Sequence, residues 1–221
     1  MLAAGSIKFL KDLKKNNDKA WFDQNRKAYE AARADFIQLT QGLINAVGKW
    51  DPAIGILEPK QCIFRINRDV RFSKNKSPYK TNMGASINAG GKKINNAGYY
   101  FHFEPGNSFV GGGFYMPEAA DLAKIRQEID YSFDSDFKKI ISHKKFKTVF
   151  PNGVEAVAAL SRPPKGYDAE HPAIDFLKMK GFIVTRPISD AELQNKQLIS
   201  ELNNSFAVMK DFIDFLNRAL D

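Results

Sequence analysis

Apolar residues return every seventh position from Phe22 through Tyr29, Phe36 and Leu43 to Trp50, and Ala32, Leu39 and Ala46 fill the turns between them. That stripe predicts one long helix over residues 18–50 with a single buried face. Asn17 or Asp18 can cap its start, and Gly48 and Pro52 end it. One stretch of this length does not sustain a coiled coil, so the stripe reads as core packing. Ahead of it, Ile7, Leu10 and Leu13 lie at helical spacing among lysines, which predicts a short amphipathic helix that begins the fold.

The period then drops to two. Cys62, Phe64 and Ile66 alternate with Ile63, Arg65 and Asn67, which predicts a strand with Arg65 and Asn67 on one face and Cys62 as a core thiol on the other. Residues 83–89 form a weaker strand pattern that ends at Gly90-Gly91. Tyr99, Phe101 and Phe103 alternate with Tyr100, His102 and Glu104, Gly106-Asn107 marks a turn, and residues 108–116 complete a hairpin. Connections this short allow an antiparallel meander and exclude helical crossovers.

Helical spacing returns after Pro117 with Leu122, Ile125, Ile129 and Phe133, and residues 134–141 read as a further short helix. Residues 161–172 are rich in turn formers, residues 175–179 suggest a short helix, and residues 182–185 suggest one more strand. Ser189 and Glu192 have capping-box spacing. The last helix carries Ile199, Leu202, Phe206, Met209, Ile213, Leu216 and Leu220 at steps of three and four. The order helix, sheet, helices predicts a single α+β domain over residues 1–221, an antiparallel meander covered by long N- and C-terminal helices.

Charge changes the picture at one place. Residues 60–80 hold seven basic residues and one acid, Asp69, in a chain whose net charge is +8. Cations crowded this closely repel unless an anion or solvent screens them. Arg65, Arg68, Arg71, Lys76 and Lys80 are therefore the candidate anion-binding residues, with Asp69 placed to orient an arginine for bidentate contact. Ser73 and the loop backbone can add contacts, and Tyr79 offers a hydroxyl and a stacking face. Gly111 to Gly113 would let a ligand approach the backbone at Gly112, although a bulge or a tight helix contact is the commoner reason for such a run. Arg162 and Lys165, in the second turn-rich loop, are candidates to close over the basic segment. A solvated charged rim is the competing reading.

Other chemistry has less support. Ser73 and Lys76 match an S-x-x-K string, but the K-T-G element of that enzyme class is missing. His102, His143 and His171 lack metal-ligand spacing, so no metal site is predicted. His102 and Glu104 share a strand face and could form an acid–base pair or simply occupy a half-exposed sheet surface. No dinucleotide or phosphate-loop fingerprint identifies a cofactor. Cys62 is the only cysteine, which fits a reducing cytoplasm, and the charged N-terminal stretch does not read as a signal peptide or membrane span.

Four segments occur in order: FLKDLKKNNDKAWFDQNRKAYE at 9–30, RINRDVRFSKNKSPYKTN at 65–82, GYYFHFEPGNSFVGGGFYMP at 98–117 and RPPKGYDAEHP at 162–172. Together they resemble the bacterial family known as domain of unknown function 2461, over nearly the whole chain. The resemblance implies a single-domain soluble bacterial protein and carries no activity, cofactor or catalytic residue with it. From the basic segment, the expected partner is a phosphorylated small molecule or nucleotide, with nucleic acid or an acidic protein as the alternatives and no membrane. No nucleophile–base pair is strong enough to assert an enzyme.

Overall fold

The computed structural model describes residues 1–221. The chain begins with α1 (Ala4–Lys15), α2 (Lys19–Gln24), α3 (Arg26–Val47) and two single-turn helices, α4 (Pro52–Gly55) and α5 (Pro59–Cys62). Three strands follow, β1 (Met83–Ile87), β2 (Gly98–Phe103) and β3 (Ser108–Phe114). Next come α6 (Ala119–Ser132), a π-helical turn (Phe133–Phe137), α7 (Lys138–Ser142), α8 (Lys144–Val149) and β4 (Glu155–Ala156). The chain closes with α9 (Ile174–Leu177), β5 (Phe182–Ile188), α10 (Asp190–Leu193) and α11 (Leu198–Arg218). The fold class is α+β, with one open antiparallel sheet of order β1-β2-β3-β5-β4. Glu155 pairs with Ile183 and Ala156 with Phe182 at its β4 edge. No helix is long and apolar enough to cross a membrane.

Two expectations need correction. The helix over residues 18–50 is two helices, broken at Asn25, whose φ of −103° and ψ of 17° leave the helical basin by little. The Asn25 side chain donates to the Trp21 carbonyl at 2.9 Å and covers the break. Because only one residue departs, the apolar stripe stays in register across it. Asp18 caps α2 by accepting from the Trp21 N–H at 2.9 Å, and Gly48 caps the end of α3.

The strand over residues 62–67 does not form. Pro59 fits the first helical turn, and Glu58 and Gln61 make a capping box, so the chain turns through α5 up to Cys62. Beyond it only Ile63 bridges Ala85 and Asn67 bridges Tyr79. Cys62 and Ile66 are buried, but Phe64 is 39% exposed, so the period-two face breaks in its middle.

The chain divides into two compact units. The first comprises residues 1–93, 100–110 and 187–203. In it Phe36 of α3 stacks on Phe101 and Phe103 of β2, with ring centroids 6.1 and 6.2 Å apart. Asp35 of α3 accepts from the Ala3 N–H at 2.8 Å and the Ser6 hydroxyl at 2.6 Å, holding the start of α1. The capping box of Ser189 and Glu192 forms as its spacing predicts.

The second unit comprises residues 94–99, 111–186 and 204–221. Its core gathers around Phe137, which packs on Phe176, Phe212 and Phe215 with centroids 5.1, 6.4 and 5.0 Å away. The π-helical turn presents Phe137 to that cluster: its last bond runs from the Lys138 N–H to the Phe133 carbonyl, one residue wider than an α turn. Arg126 of α6 donates to the carbonyls of Leu177 and Met179 at 2.7 and 3.1 Å. Asn217 of α11 pairs with both backbone groups of Ala97, at 2.9 and 3.2 Å.

The glycine run belongs to this packing. A methyl group at Gly112 would strike the Met209 sulfur and lie 2.8 Å from the Gly98 carbonyl. Gly113 has φ +126°, and a methyl group there would strike the Phe182 carbonyl. Gly113→Ala should therefore lower the unfolding free energy by about 3 kcal/mol or more. Gly5→Ala, at a helical position with nothing within 4 Å, should be neutral or stabilising by up to about 1 kcal/mol. Urea midpoints at equal slope measure both.

Candidate functional site

The basic segment folds as a small hairpin. The Arg68 N–H bonds the Pro78 carbonyl at 2.9 Å, and the Lys80 N–H bonds the Ile66 carbonyl at 2.8 Å. Its root is clamped from the turn between α1 and α2, where Asn17 donates to the Tyr79 carbonyl at 3.0 Å and accepts from the Tyr79 N–H at 3.1 Å. Phe22 stacks on the Tyr79 ring with centroids 3.9 Å apart and planes 14° apart. Tyr79 is thus buried, and one face of its ring is already covered.

Within the hairpin the cations divide by what they hold. Arg68 donates to the Ser77 carbonyl at 2.9 Å and the Ser73 hydroxyl at 3.2 Å. Arg71 pairs with Asp69 at 2.6 Å, and hydrogen bonds from Arg71 hold the Asp69 carboxyl below the usual range. Lys76 donates to the Val70 carbonyl at 3.0 Å. Ser73 and Lys76 therefore have separate partners, unlike an S-x-x-K nucleophile and its base. Arg65 and Lys80 make no ion pair. Lys80 sits 5.5 Å over the Phe64 ring, and burial, then the Arg65 charge, push its pKa down.

A groove of about 860 Å³ lies beside these two cations. Tyr29, Arg33, Phe36, Ile37 and Gln41 form its α3 wall at helical spacing. Residues 58–60 and 63–66 add a second stretch of lining, and Met83, Lys92 and Lys93 complete it. The lining is mostly apolar, and its one acid, Glu58, is taken by Lys60 at 2.6 Å. Lys92 donates to the carbonyls of Lys60 and Ile63, each at 2.6 Å, tying down the chain that carries Arg65. Arg33, Arg65 and Lys93 remain without ion pairs around the opening.

Of the predicted residues, Arg65 lines this groove and Lys80 adjoins it through Phe64. Arg68, Asp69, Arg71, Ser73 and Lys76 are joined to one another or to hairpin carbonyls. Gly112, Arg162 and Lys165 belong to the second unit. Gly112 is packed in the sheet, and Arg162 and Lys165 are exposed on their loop. Arg33 escaped sequence reading because it sits inside a stripe that reads as core. Lys92 and Lys93 follow a glycine turn and show no pattern. His102 of β2 and Glu104, one residue past its end, do lie 3.4 Å apart.

The family follows from the whole chain. The model of the family described as conserved hypothetical protein (DUF2461) matches residues 5–215, and the chain belongs to that family. No curated protein and no solved structure matches it.

Cys62, at the edge of the groove wall, is buried, and burial pushes its thiol up to about 11, with Lys92 pulling the other way. Ellman's reagent at pH 8 should react with the native protein about a hundred-fold or more slower than with the urea-unfolded chain. Equal rates would show that the thiol is open.

Proposed function

We propose that the first unit binds a small anionic ligand, a phosphate-bearing molecule or nucleotide, in the groove between α3 and residues 58–66. Arg65 and Arg33 hold the anionic group, and the apolar lining with Tyr29 and Phe64 takes the remainder. The observation that carries this reading is that Arg33, Arg65 and Lys93, none of them ion-paired, line one groove whose single acid, Glu58, is already held by Lys60. Beside the groove, burial first and the Arg65 charge second push the Lys80 pKa down, so its charged amine opposes folding. Cations gathered at a groove with no free acid suit an incoming anion.

A second reading draws on the hairpin tip. Phe72 is 96% exposed with the Arg71 guanidinium 5.8 Å over its ring. An aromatic surface among cations is what single-stranded nucleic acid stacks on.

Thermal shift with nucleotides and sugar phosphates tests the first reading, since a ligand bound only by the folded state raises the melting temperature. Arg65→Ser should weaken binding about ten-fold, or about 1.4 kcal/mol, while the melting temperature without ligand holds or rises. An undiminished shift in Arg65→Ser would reject the groove. A response confined to oligonucleotides, steep in salt and lost in Phe72→Ser, would transfer the function to the tip.

A further inference from the structure

The face of β2 turned away from Phe36 carries a chain of polar groups. The Tyr100 hydroxyl lies 3.2 Å from Nδ1 of His102. Nε2 of His102 lies 3.4 Å from Oε2 of Glu104. Phe109 of β3 stacks flat on the imidazole, with centroids 4.8 Å apart and planes at 13°. All three members are half-buried. Glu104 is held in turn by the Thr81 hydroxyl at 3.0 Å, by Asn107 at 3.2 Å and by Lys14 of α1 at 3.8 Å.

The partners settle the direction of the hydrogen bonds. A carboxylate only accepts, so Nε2 carries the proton toward Glu104. Burial lowers the His102 pKa more than Glu104 raises it, so the ring is neutral at pH 7 and Nδ1 accepts from the Tyr100 hydroxyl. For Glu104, burial pushes the pKa up but is outweighed by the bonds from Asn107, Thr81 and His102, which keep it ionised. Glu104 and, beyond it, Lys14 are the charged groups facing this ring. The backbone makes room for the phenol as well: a methyl group at Gly84 of β1 would strike the Tyr100 oxygen.

We propose that Tyr100 is a nucleophile toward uncharged acyl esters, with His102 as its base and Glu104 as the positioning residue. The Tyr100 oxygen attacks the acyl carbon while its proton passes to Nδ1 of His102. The new oxygen–carbon bond forms, the ester bond breaks, and the alcohol leaves with the electron pair and recovers the proton from His102. Glu104 stabilises the transient imidazolium, and its negative charge disfavours anionic substrates. This site is separate from the anion groove. Met83 lines the groove, and Gly84, the next residue on β1, faces Tyr100 instead.

The probe is p-nitrophenyl acetate, with acetyl-tyrosine located by peptide mass spectrometry. Tyr115 and Tyr131 are 63% and 88% exposed and serve as internal references. Tyr100 should be acetylated faster than both despite being half-buried. Its rate should level off from below the usual histidine range upward, where unassisted tyrosines gain about ten-fold per pH unit toward pH 10. His102→Gln should slow Tyr100 labelling about a hundred-fold or more and abolish the plateau. Glu104→Gln should move the inflection to lower pH, which a loss of fold would not do. Near-UV circular dichroism checks that each variant keeps native packing. Labelling of Tyr100 no faster than Tyr131, or insensitivity to His102→Gln in a folded variant, would overturn the proposal. So would p-nitrophenol release undiminished in Tyr100→Phe.

Discussion

The contact of Phe36 with Phe101 and Phe103 decides what each face of β2 can be. Side chains alternate along a strand, so seating two aromatic rings against α3 leaves Tyr100, His102 and Glu104 no choice but the other face. A slip of one residue would exchange the two sets, burying a carboxylate and an imidazole against α3. The core and the polar chain on its reverse are therefore one decision. α3 also serves the groove, because residues at steps of three and four place Tyr29 and Arg33 beside Phe36.

Positive charge in the hairpin is divided between holding the loop and facing outward. Arg68, Arg71 and Lys76 spend their donors on serine, aspartate and backbone oxygens that a tight turn would otherwise leave unmet. Arg65 and Lys80 have no such partner, and their mutual repulsion is left standing. The distinction lies in geometry and not in residue type, which is why the full set of cations looked equivalent along the chain.

Much of the architecture is visible in the order of residues. The alternation of β2 and the spacing of Ser189 and Glu192 each translate directly into an element, and the seven-residue stripe into two consecutive helices, since each depends on neighbours a few positions away. The break at Asn25 is silent because a single near-helical residue leaves the stripe in phase. The false strand at 62–67 arises because Pro59 and the Glu58–Gln61 box, both upstream, override the local alternation. The groove was out of reach for another reason: Arg33, Arg65 and Lys93 come together only after α3 packs beside residues 58–66, and no spacing rule records that. The family motifs mark the hairpin and β2 as special without saying which atoms are.

A π-helical turn takes up one more residue than an α turn. Between Phe133 and Phe137 the wider pitch keeps the rotational phase of the chain that follows. Five residues at π pitch turn the chain about as far as four at α pitch, so the wide turn absorbs the surplus and Phe137 still meets Phe212 and Phe215. Side-chain substitutions at the exposed positions of this turn leave that phase intact. Loss of one residue here would restore α pitch with little rotation of α7, where the same loss inside an ordinary helix would turn everything after it by about 100°.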